Sequence, residues 1–176
     1  MLTIITGPRG IGKTTALLAF IDRLKRDNRS PAGLITPPVF DSHGKKCGFS
    51  AMNVLSGEKW ELARMDKDLR GPVFGPFFFS REGFTKALAL LAGALDSETS
   101  PFILDEIGPL ELNKKTGFYP ILPRLDKAAC RVDVFLVIRP ELIEEFRTDY
   151  VRNSRCRIVE INRMNRNEPD LFNTTL

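Results

Sequence analysis

The segment Gly7-Pro8-Arg9-Gly10-Ile11-Gly12-Lys13-Thr14 constrains the chain more than any other. It matches the pattern GxxxxGK[ST], in which a glycine-rich loop joins a strand to a helix and turns its backbone N–H groups inward around phosphate. The flanks agree with that reading. Leu2 to Thr6 is a short apolar, β-branched run, as expected of a buried parallel strand. After the loop, Ala16, Leu17, Phe20, Ile21 and Leu24 recur at helical spacing, which predicts a helix over 13–25. Gly7, Pro8, Arg9, Gly10, Ile11, Gly12, Lys13, Thr14 and Thr15 are therefore the expected phosphate-binding residues. In this pattern Lys13 reaches the β and γ phosphates, Thr14 offers a hydroxyl to Mg2+, and the helix aims its positive end at the anion. Arg9 at the loop tip reads equally well as a phosphate contact or as a solvated side chain.

Such a loop needs an acidic partner at the end of a neighbouring strand. Phe102-Ile103-Leu104-Asp105-Glu106 is an apolar strand running into two carboxylates. Successive strand residues point to opposite sides, so the two acids suit two roles. Asp105 is the expected metal residue, and Glu106 the expected group that aligns or deprotonates water. Arg139 follows the most hydrophobic run, Val132 to Ile138, at a strand end that should face the ligand crevice. It is expected to stabilise γ-phosphate charge, or else to pair with Glu141 or Glu145. Arg147, Arg152 and Arg155 read mainly as a solvated face, and Phe77-Phe78-Phe79 as core rather than a platform for a base.

Strands and helices alternate through most of the chain. Strands are expected at 32–36, 101–104, 132–138 and 157–161, and helices at 81–95, 121–129 and 140–150. Residues 39–64 break the alternation with short segments and turns and read as an inserted β-hairpin region, while Phe74 to Ser80 reads as a further strand. Residues 108–120 read as a loop and the tail from 162 as polar turns. The expected fold class is α/β, a three-layer P-loop NTPase fold with a mostly parallel central sheet and a small β-hairpin insertion, in one domain over 1–176.

Bulk properties narrow the partners. With 176 residues, 43% hydrophobic and 27% charged, the chain has the composition of a folded domain that needs no disulfide or metal staple. A net charge of +4, without a long run of like charges, suits a polyanionic small molecule and does not call for nucleic acid. Three scattered cysteines and a single histidine encode no local zinc or redox motif, and suggest a reducing compartment. No apolar run approaches the roughly 20 residues of a membrane span. The phosphate loop begins at Gly7, with no basic leader ahead of it, so a cytoplasmic, non-membrane location is expected.

The strings GPRGIGKTT, DEIGPLEL at 105–112 and RIVEINR at 157–163 together resemble the THEP1-type nucleoside-triphosphatases. Gly33-Leu34-Ile35-Thr36, Lys45 to Phe49 and Leu55-Ser56-Gly57 extend the resemblance over residues 1 to about 165. It implies hydrolysis of ATP, GTP and other nucleoside triphosphates to diphosphate and phosphate with Mg2+. By position it gives Lys13 and Thr14 the phosphate and metal roles, and Asp105 and Glu106 the acidic ones. Glu111 falls on a second acidic position, and Asn162-Arg163 on a place where Arg163 would pass the base. Two alternatives stay open: a small-molecule or nucleotide kinase, and a nucleotide-state switch acting on a partner protein.

Overall fold

The computed structural model describes residues 1–168 and 170–172; the rest of the tail read from 162, residues 169 and 173–176, lies outside the described residues. The strands are β1 (Leu2–Thr6), β2 (Ala32–Ile35), β3 (Pro38–Phe40), β4 (Lys46–Asn53), β5 (Lys59–Arg64), β6 (Arg70–Phe74), β7 (Phe77–Ser80), β8 (Phe102–Ile107), β9 (Val134–Ile138) and β10 (Cys156–Glu160). The helices are α1 (Lys13–Arg26), α2 (Arg81–Asp96), α3 (Pro109–Leu112), α4 (Leu122–Ala129) and α5 (Ile143–Tyr150). All the strands join one sheet of order β10-β1-β9-β8-β2-β4-β5-β7-β6, with β3 paired to β4.

β10, β1, β9, β8 and β2 run parallel, and their side chains explain the three layers. Side chains alternate across a strand. Leu2 and Ile4 of β1, Phe102 and Leu104 of β8, and Val134, Leu136 and Ile138 of β9 face one core with α2, α4 and α5. Ile5, Ile103, Phe135 and Val137 face the other, against α1. The spacing read for α1 holds: Ala16, Leu17, Phe20, Ile21 and Leu24 are its buried residues, and the Phe20 ring lies 5.0 Å from that of Phe135. Burying each leucine, isoleucine or phenylalanine among them contributes about 1.5–3 kcal/mol.

The inserted region is larger than expected. The antiparallel strands run from 38 to 80, not from 39 to 64, and they extend the central sheet from β2 outward. The segment 74–80 is part of a hairpin, β6 and β7, turning at Gly75. Gly71 and Pro72 disguise β6 in the sequence. Pro72 is tolerated because β6 is an edge strand. Gly71 is required because a Cβ there would lie 2.4 Å from the Phe79 carbonyl oxygen. The segment expected to be a loop holds α3 and a short 3-10 turn, Tyr119–Ile121, too brief for periodicity to register. Pro140–Leu142 is likewise a 3-10 turn ahead of α5. No helix among the described residues is long and apolar enough to cross a membrane. Cys47, Cys130 and Cys156 are free thiols.

Asp126, on α4, ties the segment before β10 to the body. Its carboxylate accepts from the N–H and side-chain amide of Asn153 at 2.9 and 2.8 Å, and from the N–H and hydroxyl of Ser154 at 2.9 and 2.7 Å. Burial raises its pKa, but the Ser154 and Asn153 hydrogen bonds outweigh that and hold it at about 2. A carboxyl depressed in the folded state stabilises the fold above its unfolded value and loses that effect as pH falls through the folded one. Asp126→Ala is therefore expected to cost about 2 kcal/mol near neutral pH, measured by denaturant unfolding. The difference from wild type should persist down to about pH 4 and vanish near pH 2.

Candidate phosphate-binding and acidic site

The loop after β1 shapes one wall of a cavity of about 690 Å³. Every residue from Gly7 to Thr15 lines it except Ile11. Ile11 donates its N–H to the Pro8 carbonyl at 3.3 Å and packs its side chain on the α1-side core, so it shapes the loop without lining the cavity. Gly7 is needed because the segment after β10 crosses it: a Cβ would lie 2.5 Å from the Ile161 carbonyl oxygen. Gly12 caps α1 with a φ of 109°, a left-handed conformation suited to glycine. The first free N–H groups of α1 thus open onto the loop. Lys13 Nζ donates to the Gly7 and Pro8 carbonyl oxygens at 2.7 and 3.0 Å, which holds the ammonium over the loop's own backbone.

The acidic strand end arrives from β8, two strands away. Asp105 is buried, and its Oδ2 accepts from Thr14 Oγ1 at 3.0 Å and from the Thr36 N–H at 3.5 Å. Burial, and then the charge of Glu106, push its pKa up to about 7 against the opposing Thr14 and Thr36 hydrogen bonds and the Lys13 charge. Glu106 is half-buried and has a different partner, accepting from Arg139 Nε at 2.8 Å. Arg139 thus pairs with Glu106, not with Glu141 or Glu145, and both members of the pair line the cavity. Thr14 Oγ1 and Asp105 Oδ2 are hard oxygen donors of the kind Mg2+ prefers, and that ion takes few protein ligands when phosphate and water complete its shell. No cluster of three or more His, Cys, Asp or Glu side chains suited to a metal occurs among the described residues.

Other expected residues fall elsewhere. Arg163 is exposed on the turn after β10 and does not line the cavity. That turn is closed by Asn162, whose Oδ1 accepts from the N–H groups of Met164 and Asn165 at 2.8 and 3.1 Å, and it brings Arg166 to the loop instead. Arg166 Cδ is 3.8 Å from where a Gly12 Cβ would stand. Arg147 pairs with Glu144 at 3.1 Å on a solvated face, and neither Arg152 nor Arg155 lines the cavity. Phe77 and Phe79 are half-buried cavity walls, while Phe78, pointing to the other side of β7, is not.

Lys46 and Glu111 stand within strings that carry the resemblance, but no catalytic or binding role is expected of either from the sequence. Lys46 of β4 enters the cavity with its ammonium 3.6 Å from the Phe49 ring centroid. Glu111, in the DEIGPLEL string, proves to be a buried strap. Its carboxylate accepts from the N–H groups of Gly108 at 3.0 Å and Phe118 at 3.2 Å, pinning the segment after β8 against the cavity. Burial raises its pKa to about 7 despite those bonds.

Known proteins share this fold and parts of this sequence. The nucleoside-triphosphatase THEP1 of Caldivirga maquilingensis is 32% identical over 108 residues, covering 61% of this chain and 59% of that protein. The protein of the same name from Ignicoccus hospitalis is 32% identical over 128 residues, covering 73% of this chain and 66% of that one. The matched segment thus spans 59% to 66% of these relatives' lengths, somewhat under two thirds. Among solved structures, THEP1 from the hyperthermophile Aquifex aeolicus has the same fold, with a TM-score of 0.70, 23% identity, and coverage of 97% of this chain and 95% of that one. A family model described as NTPase matches residues 3–173, which take in both the phosphate loop and the acidic strand end, and the chain accordingly belongs to that NTPase family.

Proposed function

We propose that the chain binds a nucleoside triphosphate, ATP or GTP among others, at the phosphate loop and hydrolyses it to diphosphate and phosphate. The observation that carries this reading is the 3.0 Å contact between Thr14 and the buried Asp105, beside the Lys13 ammonium and on the cavity shared with Glu106. Membership of an NTPase family and the THEP1 relatives support it.

Each residue then has a defined task. Loop N–H groups and the start of α1 receive the phosphates. Lys13 exchanges the Gly7 and Pro8 carbonyl oxygens for β and γ phosphate oxygens. Thr14 Oγ1 and Asp105 would hold Mg2+; burial of Asp105 beside Glu106 makes a cation its natural counter-charge. When bound, that ion neutralises charge on the β and γ oxygens. Glu106, fixed in direction by Arg139, orients a water and accepts its proton. The water oxygen bonds to the γ-phosphorus, the bond to the β–γ bridging oxygen breaks, and diphosphate leaves. Arg139 positions Glu106 and adds positive charge on the γ side. Arg166, beside Gly12, would lie next to the nucleoside. The proposed compartment is the cytoplasm, where free thiols such as Cys47, Cys130 and Cys156 persist.

The test is phosphate release from ATP, GTP, CTP and UTP, with and without magnesium. Lys13→Ala should abolish release and weaken triphosphate binding. Glu106→Gln should keep binding and lose release by about 10²- to 10⁴-fold, the range for a positioned general base. Full phosphate release by Glu106→Gln would remove Glu106 from the mechanism. Arg139→Ala should lower kcat by about tenfold or more, with a smaller change in KM, because its task is done after substrate has bound.

A further inference from the structure

The cavity extends beyond Glu106, under the antiparallel wing. Phe49 of β4, Phe77 and Phe79 of β7, Phe84 of α2 and Phe118 in the segment after α3 all line it. Their rings follow one another at centroid distances of 5.0 Å (Phe49–Phe77), 6.4 Å (Phe77–Phe79), 5.4 Å (Phe79–Phe84) and 5.3 Å (Phe84–Phe118). Phe49, Phe77 and Phe79 are only partly buried, so ring surface remains open to the cavity. Apolar surface left open in this way costs stability. Hydrolysis has no use for it, since the attacking water occupies only about 30 Å³.

Arg9, Lys46 and Arg139 line the cavity together with Glu106 and Glu141. Burial, and then the charges of Arg9 and, more weakly, Arg139, push the Lys46 ammonium below its usual pKa against the pull of Glu106. Cations on the cavity wall suit a phosphoryl group passing between two oxygens, with charge spread over its equatorial oxygens. In the proposed pose the β and γ phosphates lie at Lys13 and the Thr14–Asp105 pair and the nucleoside beside Arg166, which would leave the aromatic wall to an acceptor.

We propose that the aromatic compartment is a second substrate site for a small aromatic alcohol, and that the protein transfers the γ-phosphoryl group to its hydroxyl. This rests on the reading of the loop as a triphosphate site. The acceptor ring packs among the phenylalanines at the 4.5–7 Å spacing that aromatic pairs favour, roughly. Glu106 takes the hydroxyl proton, the alcohol oxygen bonds to the γ-phosphorus, and the bond to the β–γ bridging oxygen breaks with its electron pair leaving on the diphosphate. The products are a phosphate monoester and a nucleoside diphosphate. Water in the acceptor's place gives hydrolysis.

The experiment measures ADP and inorganic phosphate separately for the full chain with ATP and magnesium, adding benzyl alcohol, 2-phenylethanol or thymidine. Hydrolysis yields the two in equal amounts. Transfer yields ADP in excess, with a new monoester resonance in the phosphorus NMR spectrum, and this is expected with at least one of the three alcohols. Phe77→Ala should raise the alcohol concentration for half-maximal excess about tenfold, and Phe77→Tyr, which keeps the ring, should restore it. Equal ADP and phosphate with all three alcohols overturns the acceptor site and leaves hydrolysis standing. An excess indifferent to Phe77→Ala in a folded variant overturns its location. Absence of diphosphate when ATP, GTP, CTP and UTP are each supplied overturns the triphosphate reading itself, and the acceptor site with it.

Discussion

Thr14 stands in the first turn of α1 and Asp105 in the second half of β8, 91 positions apart in sequence and 3.0 Å apart between their oxygens. β9 lies between the two strands that carry them, so the contact exists only because three parallel strands keep level. Leu2 and Phe102 both pair with Val134, and Ile4 and Leu104 both pair with Leu136. A slip of one residue would turn every core side chain to the opposite face. The burial of Ile4, Leu104 and Leu136 on one side, and of Ile5, Ile103 and Val137 on the other, is what forbids it. The apolar core thus sets the position of a polar contact at its edge, where parallel strands bring their carboxyl ends together.

The two carboxylates at that edge live in different surroundings although they are adjacent in sequence. Asp105 is enclosed, held by a hydroxyl and an N–H, and pushed toward its neutral form by burial. Glu106 reaches a guanidinium from the next strand and stays half open to the cavity. An enclosed acid beside the loop and an open one beside the γ position is the division of labour that the proposed chemistry requires. Glu111 serves both indirectly, since its buried carboxylate ties the Gly108 and Phe118 amides together and closes the far side of the cavity.

The wing gives the site its other character. β2 is the last parallel strand, and β4 pairs with it antiparallel, so the insertion grows from the sheet edge nearest Asp105 and Thr36. Growth from that edge carries Lys46, Phe49, Phe77 and Phe79 over the cavity. A hydrolytic site with a purely polar second wall would use the same loop and the same acids. The aromatic lining is the feature of this chain that asks for a partner molecule beyond water.

Much of this was legible in advance because it rests on local rules. A glycine-rich loop between an apolar run and a helical repeat has few alternatives, and an apolar strand running into two acids is the partner such a loop needs. The helix over α1 and the strands β1, β8 and β9 follow from the spacing of their own apolar residues. Tertiary structure alone decided the rest. Arg139 chose Glu106 over the nearer Glu141, because parallel neighbours end side by side whatever their separation in sequence. Arg166 rather than Arg163 came to the loop, because an asparagine-closed turn set the direction of the chain. β6 was hidden by Gly71 and Pro72, which read as breakers until an edge position makes them fit. The sequence by itself determined the loop, the acids and the class of fold, all matters of short-range pattern. Which side chains would share one cavity with them was a matter of long-range strand order, and only the packed sheet could decide it.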